Sequence, residues 1–129
     1  MTQPPRANHT RNHVRVAIAQ AAPVYMDLAG SLEEAVQWIC QAAKQDAQLV
    51  VFGETWLPGY PAWLDVCPDA AFWGNTATKD AFATLRANSI CIPGEELDVL
   101  RMAAKEHAIT VVIGVQRAGG CRSRKRDPL

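Results

Sequence analysis

The chain has 129 residues with 13 basic and 13 acidic side chains, and 49% of its residues are hydrophobic. This length predicts at most one domain with a modest core, and the composition is ordinary for a soluble globular chain. No apolar run approaches the roughly 20 residues of a membrane span, and the polar start lacks the apolar core of a signal peptide, so we expect a cytoplasmic protein without a membrane partner.

The first residues predict a disordered arm. Residues 1–13 are polar and include two prolines. His9 and His13 stand four residues apart, a spacing that could bind a metal ion on a helix. Because a chain terminus of this composition favours disorder over a helix, we predict no metal site there.

Strand and helix patterns alternate after this arm. Residues 14–20 predict the first strand, and Pro23 lies in the loop that follows. Ser31 and Glu34 have the spacing of a capping box, which predicts a helix that begins at Ser31 and ends near Asp46. Its apolar residues recur at helical spacing and predict one buried face: Leu32, Ala35, Val36, Ile39, Cys40 and Ala43.

The most informative stretch is residues 49–61. Its four opening residues are apolar and predict a strand that is buried on both faces. Strand, helix and strand at this spacing imply a right-handed crossover and parallel pairing, so Glu54 would lie at the carboxyl edge of a parallel sheet, where ligands bind. Burial raises the pKa of a carboxylate because it penalises the charged form, and a raised pKa suits Glu54 to general-base catalysis near neutral pH. The residues alone leave a second interpretation open, in which Glu54 only ends the strand or pairs with a lysine.

After residue 61 the sequence predicts an irregular insert, two helices and a strand. Residues 62–75 are irregular and aromatic, and we interpret Trp63 and Trp73 as core residues more than as ligand contacts. Residues 78–87 predict one helix, and Pro93 with the acidic residues after it opens another that ends near His107. The next buried strand is predicted at residues 109–115.

Residues 46–61 resemble the glutamate motif of the nitrilase branch of the carbon–nitrogen hydrolase superfamily. That motif runs from a strand through Phe-Pro-Glu and two further residues to Leu-x-Gly-Tyr-Pro. Two positions depart from it, because Gly53 replaces the usual proline and Asp46 replaces a glycine. The matching positions are Phe52, Glu54, Leu57, Gly59, Tyr60 and Pro61.

The resemblance implies an α/β fold that forms the N-terminal part of an α-β-β-α sandwich, here incomplete. It implies hydrolysis of a nitrile to a carboxylic acid and ammonia, with Glu54 as the general base and Tyr60 lining the substrate pocket. Family members use a cysteine nucleophile and an oxyanion-stabilising lysine, form a thioester and need no cofactor or metal. They commonly self-associate, which makes homo-oligomerisation an expectation for this chain as well.

Two catalytic groups of that family have no clear counterpart. No cysteine is followed by Trp-Glu, and Lys125 resembles the family lysine only superficially because the hairpin before it is missing. We therefore expect residues 14–116 to be a partial carbon–nitrogen hydrolase domain, ended early and inactive by itself. An alternative is a non-catalytic fragment that binds full-length nitrilase subunits.

The tail, residues 117–129, differs in charge from the rest of the chain. It holds five basic residues and one acidic residue, whereas residues 1–116 hold eight basic and twelve acidic ones. Such a tail can bind an anionic partner. Because it has no interleaved aromatic residues, we expect it not to bind nucleic acid.

Overall fold

The computed structural model describes residues 13–120. Within this range no helix is both long and apolar enough to cross a bilayer. The predicted arm before His13 and the tail after Gly120, with His9 and Lys125, lie outside the described residues. The elements are, in chain order, β1 (Val16–Ile18), α1 (Leu28–Lys44), β2 (Leu49–Val51), α2 (Trp63–Val66), α3 (Thr76–Ala87), α4 (Glu95–Glu106) and β3 (Thr110–Val112).

The three strands form a parallel sheet in the order β1-β2-β3, with β2 in the centre. Ala17 pairs with Val50, and Val50 pairs with Val111. The helix α1 connects β1 to β2, and α4 precedes β3, so each parallel neighbour is reached through a helix. The predicted α/β class and the parallel pairing of the first two strands are confirmed.

One face of this sheet is covered by helices. Helices α1 and α4 pack against each other, and their apolar sides meet the row Ala17, Val50 and Val111 in one cluster. Alternate residues of a strand point to opposite faces, so this row faces the helical layer. Buried members of the cluster include Ala35, Ile39, Ala42, Val50, Leu100 and Ala103.

The opposite face of the sheet is open to solvent over the described residues. Ile18, Val51 and Val112 lie side by side across the three strands, and the side chain of Ile18 is 73% exposed. The prediction that the central strand is buried on both faces is therefore wrong for this chain. Val50 is buried under the helices, whereas Val51 is only half-buried.

Helix α1 begins earlier than the sequence predicts. Its N-cap is Asp27, whose carboxylate accepts a hydrogen bond of 3.1 Å from the Gly30 amide. The Ser31 hydroxyl is buried and donates to the Val24 carbonyl at 2.8 Å, so it holds the preceding loop and caps no helix end. The predicted capping box of Ser31 and Glu34 is wrong, because Asp27 is the N-cap and Ser31 lies inside the helix that begins at Leu28.

Helices α3 and α4 each have an end that a local signal indicates. Helix α3 begins at Thr76 because the Asn75 side chain accepts from the Thr78 amide at 3.1 Å. Helix α4 begins with acidic residues and ends at His107, whose backbone amide donates to the Ala103 carbonyl. The prediction that His107 is a helix-end residue is confirmed.

Candidate active site

Glu54 lies just beyond the carboxyl end of β2, the central strand of the sheet. This is the edge at which open α/β sheets bind ligands. The Glu54 side chain is exposed, so the burial that the sequence predicts for this carboxylate is absent in the described part of the chain. The neighbouring segment, residues 112–116, bonds to the backbone of the loop and leaves the Glu54 side chain uncovered.

The loop that carries Glu54 is held along the segment that continues β3. Its backbone hydrogen bonds place residues 52–57 parallel to residues 112–116, with Leu57 bridged to Val115. The strand predicted at residues 109–115 is observed only at Thr110–Val112. Beyond Val112 the chain pairs with this loop and no longer with a strand of the sheet. In each of four bonds a backbone amide donates to a backbone carbonyl. They are Phe52 to Val112 (2.8 Å), Gly114 to Gly53 (3.3 Å), Leu57 to Gly114 (3.1 Å) and Gln116 to Leu57 (2.7 Å), with the donor named first.

Thr55 has an unusual backbone conformation beside Glu54. Its φ angle is +43°, a left-handed value that is uncommon for a β-branched residue. Its Oγ1 atom is buried and has no hydrogen-bond partner among the described residues. Backbone strain of this kind persists only where the surrounding contacts enforce it, and it concentrates at functional sites.

Tyr60 and Glu54 lie on the same loop, and Tyr60 is exposed at its far end. The backbone carbonyl of Tyr60 accepts a hydrogen bond of 3.1 Å from the Tyr25 hydroxyl. The Met26 amide donates to the Pro58 carbonyl at 2.9 Å. The loop between β1 and α1 therefore braces the loop that carries both predicted site residues.

Tyr25 contacts the loop of the candidate site, although the sequence motif does not include it. A Cβ atom on Gly59 would lie 2.5 Å from the Tyr25 ring, and Gly59 also has a φ of +127°, so a glycine is needed for this close approach. A usable signal was present, because Tyr25 follows the first strand of a parallel sheet and such loops converge at one edge.

The aromatic insert divides into a packed part and an exposed part. Trp63 lies between Tyr25 and Phe82, with ring centroids 6.4 Å and 5.6 Å away in edge-to-face arrangements, so it contributes to packing as predicted. Trp73 is 103% exposed, and its predicted role as a core residue is wrong. It stands in the turn between α2 and α3, where nothing in the described part of the chain covers its ring.

Alkaline pH should loosen the brace between the two loops. Partial burial raises the pKa of the Tyr25 phenol above its ordinary value of 10.0. The fold thus favours the neutral phenol, so the stabilisation is present below pH 10 and is lost as the pH rises through the folded-state pKa. We expect Tyr25→Phe to flatten the decline of the free energy of unfolding above pH 10 and to cost about 0.5 kcal/mol at neutral pH through the lost hydrogen bond.

Urea denaturation at a series of pH values measures both effects. Tyr60→Phe is the matched control, since it removes the phenol of the only other tyrosine in the sequence and keeps the carbonyl that Tyr25 contacts. A Tyr25→Phe variant with the same alkaline decline as the unmodified chain would contradict this prediction.

Sequence comparison with known proteins identifies the family of this chain. The sequence profile of the carbon-nitrogen hydrolase family matches residues 15–124. The chain belongs to the carbon–nitrogen hydrolase family. The family resemblance predicted from residues 46–61 is confirmed, and the part of a nitrilase-like fold that the strands and helices form is consistent with it. The predicted division of this carbon–nitrogen hydrolase chain at residues 13 and 116 stays a prediction.

Several curated relatives of this carbon–nitrogen hydrolase chain bear nitrilase names. It is 41% identical over 101 residues to an arylacetonitrilase of Fusarium vanettenii, a match that covers 78% of this chain and 27% of the relative. An arylacetonitrilase of Arthroderma benhamiae is 40% identical over 105 residues (81% and 29%). Nitrilase 2 from an unknown prokaryotic organism is 44% identical over 102 residues (79% and 31%). The chain thus spans less than a third of the length of these relatives.

Proposed function

We propose that this chain is the glutamate-bearing part of a nitrilase-type hydrolase, with Glu54 as the general base and Tyr60 at the substrate pocket. The observation that carries the proposal is the position of Glu54 at the carboxyl edge of the central parallel strand, in a loop held by backbone hydrogen bonds to the β3 continuation. The nitrilase names of the relatives support the same reaction class.

In this proposal the reaction proceeds by covalent catalysis. Glu54 accepts the proton of a cysteine thiol, and the thiolate adds to the nitrile carbon while a lysine stabilises the negative charge that develops. Glu54 gives this proton to the nitrile nitrogen, and one water then converts the adduct to a thioester as ammonia leaves. Glu54 then deprotonates a second water, which releases the carboxylic acid and returns the thiol.

We propose an arylaliphatic nitrile as the substrate. The arylacetonitrilase names of two relatives indicate this class. The rings of Tyr25 and Tyr60 stand partly exposed where the two loops meet. An aromatic substituent can stack on such rings, while a phenol can also hydrogen-bond a polar group.

The chain by itself is not expected to hydrolyse nitriles. Its four cysteines are followed by glutamine, proline, isoleucine and arginine, and none stands in a Cys-Trp-Glu context. Catalytic groups that act as a unit lose nearly all activity when the nucleophile is absent. The thiol would therefore come from a different segment of polypeptide.

A chimera tests the proposal directly. Residues 15–116 would replace the matching segment of the prokaryotic Nitrilase 2 relative, and ammonia release would be measured on nitriles that the unmodified relative hydrolyses. We expect turnover by the chimera and none by the 129-residue chain. A folded chimera without turnover would contradict the proposal, as would nitrile hydrolysis by the isolated chain after all four cysteines are changed to alanine.

A second candidate function is a non-catalytic chain that associates with itself or with full-length nitrilase subunits. The open row of Ile18, Val51 and Val112 favours it, because an exposed apolar sheet face is an association surface. We expect Ile18→Lys to weaken self-association by about tenfold or more, since the new charge would be buried in the contact.

Light scattering after size-exclusion chromatography, over a range of concentrations, measures this association. Met102→Lys is the matched control, because Met102 is 70% exposed on α4, away from the open sheet face. Equal association by the two variants would exclude the sheet face as the contact surface.

A further inference from the structure

Gly114 lies where the continuation of β3 passes the loop that carries Glu54. A Cβ atom at this position would stand 2.5 Å from the Gly53 carbonyl oxygen, 2.5 Å from the Thr55 amide nitrogen and 2.8 Å from the Glu54 Cα atom. All three are backbone atoms, so no side-chain rotation could relieve the overlap. Any side chain at Gly114 must therefore displace the backbone of Glu54 itself.

Hydrogen bonds tie Gly114 to the loop on both sides of Glu54. Its amide donates to the Gly53 carbonyl at 3.3 Å, and its carbonyl accepts from the Leu57 amide at 3.1 Å. The Gln116 amide extends this ladder to the Leu57 carbonyl at 2.7 Å. Gly114 is thus hydrogen-bonded to both ends of the segment from Gly53 to Leu57.

The conformation of Thr55 is consistent with this arrangement. Its left-handed φ of +43° costs free energy for a β-branched residue, so other contacts must hold it. The Thr55 amide nitrogen is one of the atoms closest to Gly114. The peptide group between Glu54 and Thr55 therefore adjoins both the close contact with Gly114 and the unusual φ angle of Thr55.

Gly53 takes part in the same contact but has room for a side chain. A Cβ atom at Gly53 would meet nothing closer than the Trp56 ring at 4.0 Å, which is an ordinary distance. The two glycines adjoin the same carboxylate-bearing segment, yet only Gly114 forbids a side chain. Gly53→Ala is consequently a matched control for Gly114→Ala.

We infer that Gly114 is a positioning residue for Glu54: its lack of a side chain allows the loop to lie against the β3 continuation with Thr55 left-handed and Glu54 at the carboxyl edge of β2. The role of Glu54 as a base rests on the proposed function. The positioning of its backbone by Gly114 is a separate claim that can be measured without catalysis.

Nuclear magnetic resonance on the 129-residue chain tests this positioning. We expect Gly114→Ala to speed hydrogen exchange of the Leu57 and Gln116 amides by about tenfold or more, as for the loss of a backbone hydrogen bond. The backbone couplings of Thr55 should move away from values for positive φ, whereas exchange of the Ile39 amide in α1 should change little. Gly53→Ala should leave the Thr55 couplings and the exchange of both loop amides nearly as in the unmodified chain.

Two results would overturn the inference. One is a Gly114→Ala chain that keeps the Thr55 couplings and the slow exchange of Leu57 and Gln116. The other is an unmodified chain in which these two amides exchange as fast as those of the exposed turn at residues 71–74, a measurement that decides the matter even if Gly114→Ala does not fold.

The nitrilase chimera adds a catalytic readout. There we expect Gly114→Ala to lower kcat by about 100-fold with little change in KM, because a displacement of about 1 Å in a catalytic group has an effect of this size. Unchanged kcat would count against positioning by Gly114. An unmodified chimera without turnover would instead count against the proposed function, and the exchange and coupling measurements would still decide the role of Gly114.

Discussion

Replacing Glu54 by glutamine should reduce nitrile turnover of the chimera by about 10²–10⁴-fold, the range in which general acid–base catalysis contributes. Glutamine keeps the size and shape of the side chain but cannot accept the proton of a thiol. The loss should appear in kcat, because the proton is transferred during the chemical step and not on substrate binding. Steady-state ammonia release at several nitrile concentrations measures kcat and KM separately.

The control for this prediction is Glu33→Gln. Glu33 is an exposed carboxylate on α1, so the substitution removes the same charge at a distance from the carboxyl edge of the sheet. We expect the control chimera to retain nearly full turnover. A Glu54→Gln chimera that kept kcat within a few-fold of the unmodified chimera would contradict the role of Glu54 as the base. It would support the alternative interpretation, in which Glu54 only ends the strand.

Ile39→Ala should lower the free energy of unfolding of the chain by about 2–5 kcal/mol, the cost of removing a large aliphatic side chain from a core. Ile39 is 0% exposed and belongs to the cluster that joins α1, α4 and the sheet. The helical layer covers only one face of the sheet, so this cluster is the main source of apolar burial. A loss of this size is a large part of the roughly 5–15 kcal/mol that stabilises a typical domain.

Urea denaturation followed by circular dichroism measures this change. Met102→Ala is the control on the outer side of α4, where truncation should alter the free energy of unfolding by less than about 0.5 kcal/mol. If Ile39→Ala were as mild as the control, the packing of α1 against the sheet would not be the main stabilising contact.

Features that depend on neighbouring residues were predictable from the sequence. The acidic first turn of α4 and the helix end at His107 follow from short-range preferences for charge and capping. The apolar stripe of α1 follows from helical periodicity, and it predicted the side of the helix that packs on the sheet. The position of Glu54 at the sheet edge followed from the strand, helix and strand order together with the handedness of such crossovers.

Two predictions are wrong because the residues that decide them lie outside the short pattern on which each prediction rests. Ser31 had the right spacing for a cap, but the Asp27 carboxylate accepts from the Gly30 amide and the Ser31 hydroxyl donates to the Val24 carbonyl. Trp73 is as apolar as a core residue, but no described residue covers its ring. A single residue's hydrophobicity does not say whether another element will cover it.

By itself the sequence determined the α/β class, the alternation of strands and helices, and the motif that places this chain in its family, because periodicity, capping and spacing are local properties. Only the tertiary structure decided that Tyr25 braces the loop of Tyr60, that Glu54 is exposed, and that Gly114 must lack a side chain. These depend on distances between segments far apart in the chain, such as the 2.5 Å from a Gly114 Cβ to the Gly53 carbonyl. No pattern within one segment reports such a distance, since it is set by how the sheet aligns its strands.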